Sequence, residues 1–440
     1  MTPLRLVAAD HVAGVVYVLE PRTGRLLTRL DGCHLAEHAG FLHLSGGRLA
    51  FVDDLAGELI VLDPFAAGTG DPVAARAPVA VPAEHLAADP GGRYVVVTSG
   101  CGRSWEPWSD LLTVVDLYPR ADAGDAARPR SIRVRTRVGE PGVTVLPGLP
   151  GLPGLPDLPV LPGLPGRADP ADADDLLVLL RHRMPGALDA HRLSHLLDAP
   201  PGCPTVEPLA RLPLPDDGHG DAADPTTRRV FAATGAGVHR ARLSGSDLIA
   251  ERPLSWDIPG SAGGRGYYLR FDPARRILWS TVRGGPAEPG EWPLWTNDAW
   301  WHRLDDTATG RIPLGSGLVF RLAFCDGRVV FTRVHPDGDE LIVVDADAPA
   351  VLTRMPLPPM DGAPRKGATP WDGVQRRAVA GSPAAPLVAI TQGGHGQIHL
   401  LDVASGSDLR TLDLPTPFDE GGRLTMIGMD DGSAADAVGR

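Results

Sequence analysis

The chain is almost without lysine: of 42 basic residues only Lys366 is one. With the surplus of Ala, Gly and Pro, this reads as the bias of GC-rich codons rather than as function. Cysteine is also sparse, and Cys33, Cys101, Cys203 and Cys325 form no close pair. That spacing excludes a zinc knuckle and a Cys-x-x-Cys redox motif. No stretch approaches the ~20 continuous apolar residues of a membrane-spanning helix. A net charge of −12 speaks against nucleic acid or an anionic membrane as partner. Residues 1–6 lack the basic-then-apolar pattern of a leader, so the expected location is cytoplasmic, or secreted if the start is misassigned. There is no Gly-x-Ser-x-Gly elbow, phosphate loop or dinucleotide fingerprint. Convincing amphipathic helices are nearly absent. The best candidate, 189–198, is short enough to be an outer strand or a loop.

What the chain does have is a repeated phrase. An apolar run ends in Asp or Glu, a turn follows, then Thr-Gly or Ser-Gly, then another run. It reads VVYVLEPRTGR at 15–25 and IHLLDVASG at 398–406, with truncated copies at 59–64, 112–117 and 341–346. A second phrase, DPGGRYVVV at 89–97, is echoed by DPARRILW at 272–279. Self-similarity at roughly 40–50 residues marks a repeat fold. Short strand-like runs bounded by Gly, Pro and Asp make the repeat a four-stranded antiparallel blade, strands A to D from the inside out. The clearest blade has A at 85–88, B at 94–98, C at 111–117 and D at 131–138. The segment 424–429 has no partners after it, and the strands at 4–9, 15–19 and 26–30 have no A strand before them. Joining the two closes a ring. The expectation is therefore an all-β, single-domain propeller over 1–440 with eight blades. Seven is the runner-up count, because 143–215 is irregular.

One stretch stands outside the pattern. Residues 146–166 read LPGLPGLPGLPDLPVLPGLPG. About seven triplets with a single copy per chain are too few for a collagen-like triple helix. The expectation is a disordered or polyproline-like insertion between strands A and B of one blade.

The segments GQIHLLDVASGSDLR at 396–410 and DPGGRYVVVT at 89–98 resemble the last blade and the B-strand entry of the YVTN-repeat propellers. That superfamily includes the methylamine dehydrogenase heavy chain. The similarity covers about five blades and implies the fold, not the activity. The quinone cofactor of that dehydrogenase sits on a separate light chain. A zinc metallochaperone branch of similar propellers carries a His-rich N-terminal run that has no match here.

Blade geometry then serves as a ruler. The D-to-A and B-to-C connections share one face, around the channel mouth. Histidines end the B strands in four blades, at His11, His182, His335 and His395. The D-to-A connections carry Cys33, His34, Glu37 and His38, then Glu84 and His85, then His219. The pair Glu-His recurs at the same place in consecutive blades. Imidazole is the commonest zinc ligand, and carboxylates complete or orient such sites. His38, His85, His219 and His395 with Glu37 and Glu84 are thus the candidate metal set, for zinc or calcium. The alternative is that they are ordinary polar loop residues. The acidic run 337–340 lacks the spacing of a calcium loop and reads as a turn.

Two long B-to-C loops bear tryptophan: Trp105 and Trp108, and Trp292 and Trp295. They could wall or stack on a ligand, or pack their own loops. Arg265, at the entrance of an A strand, could pin a carboxylate or phosphate, as could Arg103 and Arg321. The leading function is a non-catalytic protein that holds a small ligand or divalent metal at the channel mouth. The alternatives are a metal-dependent hydrolase of lactonase type and a scaffold for another protein. Enzymatic activity is left open.

Overall fold

The repeated phrase ends in an acid because the acid builds the turn. The Glu20 carboxylate accepts from the Arg22 and Thr23 amides, and Gly24 follows at φ +74°. Asp402 does the same for Ala404 and Ser405 ahead of Gly406, at φ +69°. Asp53 holds Leu55 and Ala56 ahead of Gly57. Each is a side-chain-capped turn that needs a left-handed residue to send the chain back. The second phrase is a hairpin of another kind. The Asp89 carboxylate accepts from the Gly91 and Tyr94 amides at 2.9 and 2.6 Å, clamping the link from strand A to strand B.

The computed structural model describes residues 3–100, 107–119, 128–139, 141–147, 176–245, 247–261, 263–382, 384–429 and 437–438. These form eight antiparallel sheets in a propeller. Blade 1 takes its strand A from the end of the chain, Arg423–Gly428. It pairs with Leu4–Asp10 in the register Leu6 to Met426, and Val15–Glu20 and Arg25–Asp31 complete the sheet. Blade 2 is Phe41–Leu44, Arg48–Asp53, Glu58–Leu62 and Val73–Pro78. Blade 3 is Ala83–Ala88, Tyr94–Ser99, Leu111–Asp116 and Arg130–Arg135. Blade 4 is Gly142–Pro147, Leu176–Arg183, Gly186–Arg192 and Ala210–Pro213. Blade 5 is Gly220–Asp224, Arg229–Thr234, Gly237–Ser244 and Asp247–Leu254.

In blade 6 strand A is split into Arg265–Gly266 and Arg270–Asp272, and Ile277–Gly284, Thr296–Arg303 and Thr309–Ser316 follow. Blade 7 is Leu318–Cys325, Arg328–Val334, Asp339–Asp345 and Val351–Leu357. Blade 8 is Val379–Gly381, Leu387–Gln392, Gln397–Asp402 and Ser407–Asp413. The pair Ala437–Val438 adds to Phe41–Leu42, on the inner side of blade 2.

Eight blades are present, and the irregular stretch 143–215 holds most of one complete blade. The helix candidate 189–198 divides: its first residues belong to strand C of blade 4, and Leu193–Leu197 is a short helix whose Leu193 and Leu196 are buried. Residues 146 and 147 end strand A of blade 4, and the rest of the Leu-Pro-Gly stretch lies outside the described residues.

The inner strands read as unbroken apolar runs because both faces are covered. Leu59 and Val61 face blade 3, with Leu86, Val95, Val97 and Val115. Ile60 and Leu62 face blade 1, with Val16, Val18 and Ile427. The largest buried side chains, Trp279, Trp292 and Trp300, are all in blade 6. Trp300 meets Trp256 edge-on at 5.0 Å.

Candidate functional site

The rim of the channel is built from the entrances of the A strands, so successive blades place charged side chains side by side. Blade 2 contributes Glu37 and His38, from a loop tied to the blade by Ala36 N donating to Val52 O. Blade 3 contributes Glu84 and His85. His38 Nδ1 donates to Glu84 Oε1 at 3.1 Å, and His85 Nε2 lies 3.7 Å from the same oxygen. Further round, Arg181 of blade 4 lies 3.5 Å from Asp221 of blade 5 and donates to the carbonyls of Gly218 and His219. Burial pushes the His85 imidazole down from its ordinary value despite the Glu84 carboxylate beside it.

Glu37 is the hub from which the charged group continues round the rim in the other direction. Arg376, Arg423 and Arg321 approach its Oε1 at 3.1, 3.5 and 3.6 Å. These arginines come from the entrances of blades 8, 1 and 7. Burial alone would raise the Glu37 carboxyl; Arg423 and Arg376, with His38 and His11, outweigh it and bring it down to about 2. His11 and Glu420 complete the group, with His11 Nε2 at 4.0 Å from Glu420. Donor atoms of His11, Glu37 and Glu420 all lie within 4.8 Å of one another, the one such group of three among the described residues. Burial lowers the His11 imidazole, which keeps it neutral and able to act as a ligand.

Of the predicted metal set, then, Glu37, His38, Glu84 and His85 adjoin on the rim, and only Glu37 belongs to the three-donor group. His219 is turned edge-on to Tyr267 at 5.7 Å. His395 accepts from the Asp361 amide at 3.1 Å, in the connection that leads into blade 8. Glu420 escaped sequence reading because it sits in an irregular turn, at φ +57°, with no repeat phrase around it. Arg376 and Arg423 were hidden among many arginines; their signal was position, each standing at an A-strand entrance like His38 and His85.

The expected tryptophan platform is corrected in part. Trp292 and Trp295 are buried, in a cluster with Leu318, and their indoles donate to the carbonyls of Arg365 and Pro286. Trp295 also stacks on Trp371 at 6.1 Å, with the Arg283 guanidinium over its ring. These rings fasten the connection 358–378 across the top of blade 6, so neither offers a free face. Trp108 is half-buried in the 3-10 turn Pro107–Asp110 that leads into strand C of blade 3, and Trp105 and Arg103 lie outside the described residues. Arg265 lies 3.6 Å from Asp217 and over the Tyr267 ring, beside Arg283. It is therefore one blade away from the Glu37 hub, whereas Arg321 joins it. Asn297, the one asparagine of the chain, spends its amide on the carbonyls of Trp295, Gly315 and Gly317.

Below the rim the channel holds a cavity of about 220 Å³, lined by inner strands of blades 2 to 6. Its wall is mainly apolar, with Leu44, Val143, Val145 and Phe271, and carries His43, Asp221 and Arg270 as polar points. A second void of about 20 Å³ lies between Arg321, Arg423, Arg270 and the exposed Phe320. The larger volume is below the ~300–1,000 Å³ of pockets for drug-sized ligands, so it fits a molecule of few atoms.

No family model and no curated protein matches the chain. Its fold does match solved propellers. Apo AztD from Citrobacter koseri superposes with a TM-score of 0.60 at 12% identity, over 97% of this chain and 99% of that one. The dihydro-heme d1 dehydrogenase NirN, in complex with DHE, gives 0.58 at 14% identity, over 97% of this chain and 75% of that one. At such identities the likeness establishes the β-propeller fold, the architecture that the YVTN-like phrases imply.

Proposed function

We propose that the protein is a binding propeller whose mouth holds a small ligand bearing a carboxylate. The observation that supports this reading is the gathering of Arg321, Arg376 and Arg423, from three successive blades, on the single carboxylate of Glu37. A guanidinium fork carries five N–H donors matched to planar oxyanions, and one carboxylate has about four acceptor sites. The Arg321 guanidinium makes no hydrogen bond and no second ion pair with a described residue beyond its 3.6 Å approach to Glu37, and it borders the void beside Phe320. A ligand carboxylate takes up this spare capacity, with its body toward the channel.

The second reading is a divalent ion on His11, Glu37 and Glu420, favoured by their mutual spacing of 4.8 Å or less. Glu84 with His38 and His85 would flank it, and His219 and His395 would stand further off. The three guanidiniums oppose this reading, because they already neutralise Glu37 and would repel a second cation. A lactonase-type site also needs carboxylate and Asn or His ligands converging at the centre, and Asn297 is buried in blade 6, with its amide nitrogen donating to Trp295, Gly315 and Gly317.

Titration calorimetry with succinate and with zinc, on untagged protein and on Arg321→Gln, separates the two. Saturable succinate binding that weakens at least tenfold in Arg321→Gln supports the carboxylate reading. Binding of one equivalent of zinc, lost in His11→Ala, with no response to succinate would replace it with the metal reading. If neither binds, the mouth is not a ligand site and a protein-docking role takes its place.

A further inference from the structure

A second polar pocket lies away from the channel, at the outer seam of blades 3 and 4. Strand B of blade 4 turns Leu176, Val178 and Leu180 toward blade 3, where they pack on Val96, Val114 and Val134. Strand C lies in register with it, Leu180 opposite Asp189 and Val178 opposite His191. Cross-strand partners share a sheet face, so Asp189 and His191 also point at blade 3, where an apolar pair would be expected. The chain that links strands C and D crosses to blade 3. It pairs Thr205 with Arg135, and Val206 N donates to Arg135 O at 2.8 Å. Beneath this crossing lies a cavity of about 240 Å³, lined by Thr136, Arg137, Asp189, His191, Glu207 and Arg211 among others.

The requirements of these groups are unequal. Asp189 is fully engaged: Arg211 donates to both of its oxygens, at 2.7 and 2.8 Å, and His182 Nε2 lies 3.5 Å away. Thr136 donates to the Asp110 carbonyl. Glu207 is exposed at the rim. Two groups are left over. His191 is only 1% exposed, and neither of its ring nitrogens has a hydrogen-bond partner. Arg137 makes no hydrogen bond or ion pair with a described residue, although it is half-buried and lines the cavity. A buried polar atom without a partner has given up its water for nothing, which destabilises the fold unless a ligand supplies the missing bond. The charged residues of the lining, Arg137 and Arg211 against Asp189 and Glu207, sum to zero, and with Arg211 committed to Asp189 and Glu207 exposed, Arg137 is the uncommitted cation at the pocket.

We propose that this pocket is a separate binding site for a small oxyanion, gripped by the Arg137 guanidinium and met by an N–H of His191. Arg211 supplies a further guanidinium on the same wall, already oriented by Asp189. The shared chemistry is a compact group of negatively charged oxygens, either a carboxylate or a phosphate. Burial pushes the His191 imidazole down to about 4, with only Asp189 among its charged neighbours opposing this. An anion placed beside it favours the protonated ring, so occupancy of the pocket raises its titration midpoint.

The test is imidazole NMR of histidine-labelled protein titrated with inorganic phosphate and, separately, with acetate. The readout is local to His191 and so is blind to anions bound at the channel mouth. The expected result is a saturable shift of the His191 resonances, with the midpoint moving up by at least half a unit. Arg137→Gln should weaken the response tenfold or more, and the exposed Arg130→Gln should leave it unchanged. Circular dichroism confirms that both variants fold. Response to phosphate alone assigns the site to phosphoryl groups; response to acetate alone assigns it to carboxylates. His191 resonances that stay fixed with both anions at tens of millimolar, or an Arg137→Gln variant that responds like the parent, would overturn the proposal.

Discussion

At the residue scale, charge at the rim is set by position rather than by type. Glu37 and the buried histidines give two separable acid limbs. His191 and His302 are both pushed down to about 4 by burial, from an ordinary 6.5. The unfolded chain therefore takes up more protons than the fold between those values, and stability falls as pH drops from about 6.5 to 4. Glu37, with a folded value of about 2 against an ordinary 4.5, adds stability that is complete above about pH 4.5 and is lost toward pH 2. Urea midpoints measured across pH should flatten in the upper window for His302→Gln and in the lower one for Glu37→Gln. A parent protein with no decline between pH 6.5 and 4 would count against neutral buried imidazoles. The sequence showed the His and Glu members of the rim because those types are scarce enough to stand out. Arg376 and Arg423 were not legible in the same way, since only the closed ring brings residues 37, 376 and 423 together.

At the element scale, the repeat phrase was readable because each turn is local chemistry: an acid, two amides and a glycine within about five residues. Glycines of this kind are not equivalent. A methyl group on Gly406 would meet nothing within 4 Å, so Gly406→Ala bears only the left-handed backbone strain, about 1 kcal/mol. On Gly186 it would come within 2.3 Å of the Pro215 carbonyl, and the backbone itself has to move. Gly186→Ala should therefore lower the urea midpoint several times more than Gly406→Ala. Equal effects would mean that the crossing at Pro215 is soft. The tryptophan loops were the opposite case. Length and composition marked the loop at Trp292 and Trp295 as special, but could not show that its rings point inward to fasten the 358–378 connection. That requires the tertiary partners, Arg365 and Trp371.

At the scale of the whole molecule, the strand count and the closure were legible, since unpartnered strands at both extremes of a repeat array have one economical solution. Eight blades followed from the number of B strands, even where the phrase was worn. The closure should dominate stability. Met426 lies in the inner strand of blade 1, opposite Leu6, with sheet on one side and channel on the other. Amides alternate along that strand, and Met429 N donates to the Pro3 carbonyl, so the neighbouring Ile427, opposite Arg5, is the residue whose amide faces Leu4–Asp10. Ile427→Pro removes that ladder donor and should lower the urea midpoint strongly. Leu409 sits in an outer strand, exposed at a register shift between Arg410 and Asp408, where proline is tolerated. Leu409→Pro should stay within about 1 kcal/mol. Hydrogen exchange would show fast exchange over Leu4–Asp10 in the first variant only. Equal protection in both would mean that the ring does not depend on its latch.

The pairing of Leu6 with Met426 also sets a schedule for the newborn chain. Strand B of blade 1, Leu4–Asp10, leaves the ribosome about 420 residues ahead of its inner neighbour, Arg423–Gly428. At synthesis rates of roughly 5–20 residues per second, the wait is on the order of 20–90 s. Throughout that interval an apolar, hydrogen-bond-hungry edge stands open to any passing strand, including the same edge of a sister chain on the same message. Translation speed and chaperone supply, rather than the finished ring's stability, should therefore set how much of this protein a cell recovers in soluble form.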